Sequence, residues 1–209
     1  VRVNYAALNV EEFGSVYEGL LDLAAAVDDP DGVLRFRFVR GDDRGRSGSH
    51  YTPEELVRPL IEHALEPLIR NALEKPGAEE RLLDLKICDD ACGSGHILLN
   101  AARRVALEVA RLRTGADNPD PAAYRLALRD VIQRCIYGVD SNPQAVRLCK
   151  VALWLESHNP GKPLGFLDHR IKCGDSLVGV AKVSELLDDI PDAAFETRPV
   201  LRPIMPVSS

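Results

Sequence analysis

Apolar and polar positions change period several times along this chain, and each change predicts an element. Over residues 10–23, Val10, Phe13, Val16, Tyr17, Leu20 and Leu21 recur at helical spacing. A turn follows where the chain reads DDPDG. In VLRFRFVR, residues 33–40, Leu34, Phe36 and Phe38 alternate with Arg35 and Arg37, the period of a half-buried strand. The polar, glycine-rich stretch 41–49 predicts a loop. A helix start is written at Thr52-Pro53-Glu54-Glu55. Thr52 is placed to cap, Pro53 suits the first helical position, and Glu55 closes a capping box. That helix should run to about Leu73 with Leu56, Leu60, Ala64 and Leu68 on its inner side. Pro59 and Pro67 inside it predict a kink or break. Residues 75–80 read as a linker.

From Arg81 the pattern becomes an alternation of strands and helices. Residues 81–89, RLLDLKICD, predict a buried strand. Residues 96–113 predict a helix with Ile97, Leu98, Ala101, Ala102, Val105, Val109 and Leu112 inward. A capping loop leads to a helix over 122–134, a strand over 135–140, a helix over 143–157 opened by Pro143, and a strand over 169–175. Such alternation predicts an α/β fold, a parallel sheet with helices on its faces. The proline-rich stretch 190–209 has no period and predicts an irregular segment.

Composition narrows the class. With 209 residues, 45% of them hydrophobic, the chain has material for one domain and an extension. No apolar run is long enough to span a bilayer, and VRVNYAALNVEEF lacks the apolar stretch of a signal peptide, so a cytoplasmic protein is expected, with no membrane partner. The net charge of -6 argues against a self-sufficient DNA-binding domain. Phosphate contacts normally require a basic excess, so here they would come from a local patch or from other polypeptide. Cys88, Cys92, Cys135, Cys149 and Cys173 are odd in number and contain no C-x-x-C pair. Neither a zinc site nor a disulfide framework is expected, but reduced thiols.

Candidate chemistry concentrates where predicted strands end. The string DDACGSG, Asp89 to Gly95, joins a strand to a helix. Gly93 and Gly95 put no side chain in the way of a ligand, and the helix behind them presents free N–H groups. A dinucleotide loop would carry a third glycine where Leu98 stands. Asp89 and Asp90 disfavour an anion at the mouth and suit the cationic sulfonium and amino group of S-adenosylmethionine. Asp140 ends the next strand; it either accepts both hydroxyls of a ribose or merely caps the following helix, a task open also to Ser141 and Asn142. Asp175 either meets an adenine amine or is an ordinary turn residue. Three acidic strand ends in succession favour a ligand at the carboxyl edge of the sheet.

These strings resemble the gamma class of DNA adenine-N6 methyltransferases. SHYTPEELV, residues 49–57, is similar to that family's motif X, and DDACGSGHIL to its motif I. YGVDSNPQAVRLCKVALWL is similar to motif II, and IKCGDSLVG to motif III. The resemblance spans about residues 49–180. It implies a Rossmann-like, S-adenosylmethionine-dependent methyltransferase core there, after an N-terminal helix-and-strand extension (1–48) and before an irregular tail (181–209). It further implies that Tyr51, Thr52 and Pro53 flank the methionine part of the cofactor, and that Asp89, Ala91, Cys92, Gly93 and Gly95 form the loop beneath it. Asp140 would bind the ribose with Ser141 beside the adenine, and Asp175 and Ser176 would meet the adenine edge. Asp90 departs from the family's proline, and Ile97 from its phenylalanine. His96 reads as a surface residue at a helix N-terminus rather than a base.

The resemblance also implies double-stranded DNA as substrate of the parent enzyme, with recognition and nuclease domains fused or separate, in a restriction-modification or phage-defence system. The family's catalytic N-P-P-Y/F or D-P-P-Y/W string, whose aromatic ring stacks the flipped base, has no counterpart here. Asn142-Pro143 and Asn159-Pro160 lack the second proline and the aromatic. No catalytic or metal-binding residue is therefore assigned, and a catalytically incomplete piece of a larger enzyme is expected. The alternatives are a natural truncated subunit, a non-catalytic assembly module, or part of a protein-glutamine methyltransferase, the last disfavoured by motif X standing first.

Overall fold

The structure, a computed structural model, describes residues 16, 23–29, 32–40, 52–158 and 165–177. Residues through Ser176 form one unit; Leu177 onward forms a second, of which Leu177 alone is described. The helix expected over 10–23 lies outside the described residues apart from Val16, which is helical, and Leu23, which is not. The loop at 41–49, Tyr51 and the tail from 178 also lie outside them.

The first pair of strands is an antiparallel ribbon, β1 (Leu23–Asp28) with β2 (Arg35–Arg40), in the register Ala25↔Phe38 and Val27↔Phe36. The sequence places only β2. Leu23-Ala24-Ala25-Ala26 has no strand pattern of its own, and a partner strand decides its conformation. Phe36 and Phe38 are 62% and 60% exposed, with their rings edge to face, so the expectation of a half-buried strand fails for β2. The Arg37 guanidinium bonds the Asp28 carboxylate across the ribbon.

The helix after Thr52 begins later than the capping box predicts. Pro53 itself occupies the cap position, with no side-chain capping bond, and α1 runs Glu54–Leu60. A π-helical turn (Ile61–Leu65), closed by the Glu66 N–H donating to the Ile61 carbonyl, leads into α2 (Glu66–Leu73). The wide turn sits between Pro59 and Pro67, where the usual ladder is already interrupted. The inner side is Val57, Leu65, Ile69 and Ala72. Leu56, Leu60, Ala64 and Leu68 face solvent, one residue out of phase with the prediction.

The strand expected over 81–89 forms only at its end, and its beginning is helical. Ala78–Leu83 forms α3, and only Ile87–Asp89 forms β3. Ala78, Glu79 and Glu80 are good helix formers with acids in the first turn, and a single helical turn buries both Leu82 and Leu83. Then follow α4 (His96–Thr114), α5 (Pro121–Cys135), β4 (Ile136–Asp140), α6 (Pro143–Glu156), a 3₁₀ turn (Gly165–His169) and β5 (Ile171–Cys173). Asp120 caps α5 through the Ala122 and Ala123 N–H groups. Along α4, Leu98, Leu99, Val105 and Val109 are buried, whereas Leu112 is exposed.

Strands β3, β4 and β5 form a parallel sheet in that order, with Asp89 opposite Gly138 and Asp140 opposite Cys173. Its core joins Ile136 and Ile171 of the sheet to Leu98 and Val105 of α4, Leu128 and Ile132 of α5, and Cys149 and Leu153 of α6. This is the mixed α/β arrangement the alternation predicts. Among the described residues, no helix is long and apolar enough to cross a membrane.

Candidate functional site

All three parallel strands run the same way, so their carboxyl ends and the loops after them meet at one edge. The loop after β3 is stitched to β4. The Cys92 N–H donates to the Val139 carbonyl (2.9 Å), and the Gly93 N–H to Asp140 Oδ2 (2.8 Å). Asp140 Oδ1 accepts from the Asn142 N–H (2.8 Å). Helix α6 is capped by Asn142, whose Oδ1 accepts from the Gln144 and Ala145 N–H groups (2.9 and 3.3 Å). The cap therefore belongs to Asn142, and Asp140 braces the glycine loop. Each Asp140 oxygen accepts one backbone bond and keeps acceptor capacity for another donor.

The β5 end joins the same network. The Gly174 N–H donates to the Asp140 carbonyl (3.0 Å), and the Cys173 thiol to the Ser141 carbonyl (3.7 Å). The Ser176 hydroxyl donates to the Asp90 carbonyl (2.8 Å). Asp89, Ala91, Cys92, Gly93, Gly95, Asp140, Ser141 and Ser176 are thus drawn into one edge, with Asp175 exposed beside Ser176.

The two loop glycines have different tasks. Gly95, at φ 93°, lies so close to α6 that an added Cβ would stand 2.7 Å from Cys149 Sγ. Packing against α6 by itself therefore requires glycine at this position. A Cβ on Gly93 would meet nothing within 4 Å, so this is where backbone faces open space. Gly138, inside β4, is a further position with no room for a side chain. A Cβ there would stand 2.9 Å from Leu98 and 3.0 Å from Cys92 Sγ. A glycine inside a strand was the available signal of such close approach.

The edge is acidic. Asp89 is half-buried and accepts from the Ala91 N–H (3.1 Å). Burial pushes its carboxyl above the usual aspartate range despite that bond, and the neighbouring Asp90 and Asp140 charges add to the shift. A carboxylate held this way favours a cationic neighbour. Among the described residues, no group of three or more His, Cys, Asp or Glu is placed to hold a metal ion.

The segment before α1 reaches the site through His96. Far from lying on the surface, His96 is 7% exposed. Its Nδ1 lies 3.0 Å from the Thr52 carbonyl oxygen and its Nε2 3.2 Å from Glu54 Oε2. Thr52 and Pro53 are therefore held beside the start of α4. No sequence pattern signals a contact 44 residues apart.

The family described as N-6 DNA methylase matches residues 9–177 of this chain. A Methanocaldococcus jannaschii protein named for a type II restriction enzyme and methyltransferase is 24% identical over 215 aligned residues, covering 82% of this chain and 17% of that protein. The adenine-specific methyltransferase PglX of Streptomyces coelicolor is 31% identical over 102 residues, covering 49% of this chain and 7% of that protein. The chain thus spans less than a fifth of the length of these relatives.

Proposed function

Because the chain belongs to the N-6 DNA methylase family, we propose that the carboxyl edge of β3, β4 and β5 holds S-adenosylmethionine for a DNA adenine-N6 methyltransferase. The observation that carries this reading is the Asp140 carboxylate. It is anchored by two backbone N–H groups, is not used as the helix cap, and sits between the glycine loop and α6. In that reading Asp140 accepts the ribose hydroxyls, with Ser141, Asp175 and Ser176 along the adenine. Asp89 faces the cationic methionine end over Ala91, Cys92, Gly93 and Gly95, and Tyr51, Thr52 and Pro53 close the far side. The pushed-up Asp89 carboxyl and the open space at Gly93 both suit a cationic ligand lying on the loop.

The cofactor, when bound, supplies an electrophilic methyl to the adenine amine. The residues of this chain bind and orient it. The sheet is read as part of a Rossmann-like methyltransferase core spanning 49–180, in a cytoplasmic restriction-modification or defence enzyme whose remaining polypeptide supplies the N-P-P-Y/F residues and DNA recognition. The M. jannaschii relative's name, which joins restriction enzyme and methyltransferase, favours a nuclease in the same system.

Titration calorimetry with S-adenosylmethionine tests the reading. Binding is expected for the chain, and Asp140→Ala should weaken it more than tenfold, since an anchored acceptor is lost. Asn142→Ala is the control: it removes the cap and should cost about 1 kcal/mol of stability while leaving affinity within a few-fold. No heat and no thermal shift at millimolar ligand would sink the assignment.

A further inference from the structure

Both ring nitrogens of the buried His96 face acceptors. A carbonyl oxygen only accepts, so Nδ1 carries the proton toward Thr52. The Glu54 carboxylate also only accepts, so its bond forms when Nε2 carries a second proton. The Thr52 bond is therefore present in either charge state, provided the neutral ring takes the Nδ1–H form. Water favours the opposite tautomer for a free histidine, and a fixed acceptor at Nδ1 reverses that preference. Glu54 is 58% exposed and adds a solvent-facing bond; the Thr52 bond is the sheltered one. The ring directly follows Gly95, and the Asn100 amide donates to the His96 carbonyl (3.1 Å) within the same first turn of α4. One side chain thereby ties a segment 44 residues upstream to the glycine loop.

We propose that His96 is a positioning residue, its Nδ1–H ring fixing the Thr52-Pro53 segment beside the glycine loop and thereby setting the affinity for the methyl donor. The affinity half rests on the cofactor reading above; the ring geometry does not. His96→Leu removes both bonds and keeps an apolar filler of similar size. It should weaken S-adenosylmethionine binding about tenfold. His96→Asn keeps an amide nitrogen on Cγ, where Nδ1 stands, to donate to Thr52, and should restore affinity to within about threefold of the unaltered chain. A purely structural role would lower the melting temperature of both variants without that difference in affinity.

Long-range ¹H–¹⁵N spectra of the unaltered chain at pH 8.5, with the His96 signal identified from its loss in His96→Asn, should show the Nδ1–H tautomer. An Nε2–H ring overturns the clasp, and this readout stands even where His96→Leu fails to fold. Unchanged affinity in His96→Leu, or equal weakening in both variants, overturns the positioning role. If the unaltered chain binds no S-adenosylmethionine, the cofactor reading and the affinity half fall together, while the spectrum still decides the clasp.

Discussion

Asp89 carries its charge where burial and two neighbouring carboxylates oppose it. Its folded-state pKa is raised, so the fold favours the protonated form. That contribution is complete below the ordinary aspartate range, about 3.9, and is lost as pH rises through the raised value. At neutral pH the ionised group is a strain on the fold. Asp89→Asn removes the charge and keeps an oxygen for the Ala91 N–H. A rise in melting temperature on the order of 1–3 °C at pH 7 is expected, and the gap to the unaltered chain should narrow toward pH 4. The same change should weaken S-adenosylmethionine binding more than that of S-adenosylhomocysteine, which lacks the sulfonium charge. Scanning calorimetry across pH, with titrations of both ligands, checks the pair of outcomes. A variant that is less stable at pH 7 than at pH 4, relative to the unaltered chain, would contradict the electrostatic account.

The loop between β3 and α4 separates folding from binding at two glycines. Gly95→Ala puts a Cβ 2.7 Å from Cys149 Sγ at φ 93° and should destabilise by about 2–4 kcal/mol. Adding Cys149→Ala should recover about 1 kcal/mol, because the two positions share one contact. Gly93→Ala, at φ 52° over open space, should cost only about 1 kcal/mol of stability yet impair S-adenosylmethionine binding; urea unfolding and titration separate the two effects. The sequence made this loop legible, along with α4, α5, β4 and α6, because strand, glycine turn and amphipathic helix each have a distinct local period. It did not make legible what depends on a partner. The helix after Pro53 carries two adjacent apolar stripes at the same spacing, Leu56-Leu60-Ala64-Leu68 and Val57-Ile61-Leu65-Ile69. Only packing on α4 selects the second. Leu82 and Leu83 would be buried in a strand or in a helical turn, so α3 was invisible to their hydrophobicity. The burial of His96 and the bracing role of Asp140 depend on backbone groups 44 and 47 residues away. The periodicity of their own elements carries no trace of either.

At the scale of the whole molecule, the expectation concerns charge and motif content. Its net charge is -6, and three of the acidic residues in that count, Asp89, Asp90 and Asp140, gather at the candidate site's edge. A net acidic chain lacks the excess of Lys and Arg whose counterion release normally supplies affinity for a phosphate backbone. The chain spans 17% and 7% of the two relatives' lengths, and its 209 residues contain no N-P-P-Y/F string to grip an adenine amine. Binding of the methyl donor and transfer of the methyl should therefore come apart. We expect the chain to take up S-adenosylmethionine with a measurable heat and to incorporate no tritiated methyl into duplex DNA, with no mobility shift of that DNA at physiological salt. A full-length enzyme containing this segment should methylate adenine, and Asp140→Ala within it should raise the KM for S-adenosylmethionine far more than the KM for DNA. Methyl transfer by the 209 residues alone would show that the acceptor site lies within them, and would overturn the division between donor binding here and base recognition elsewhere.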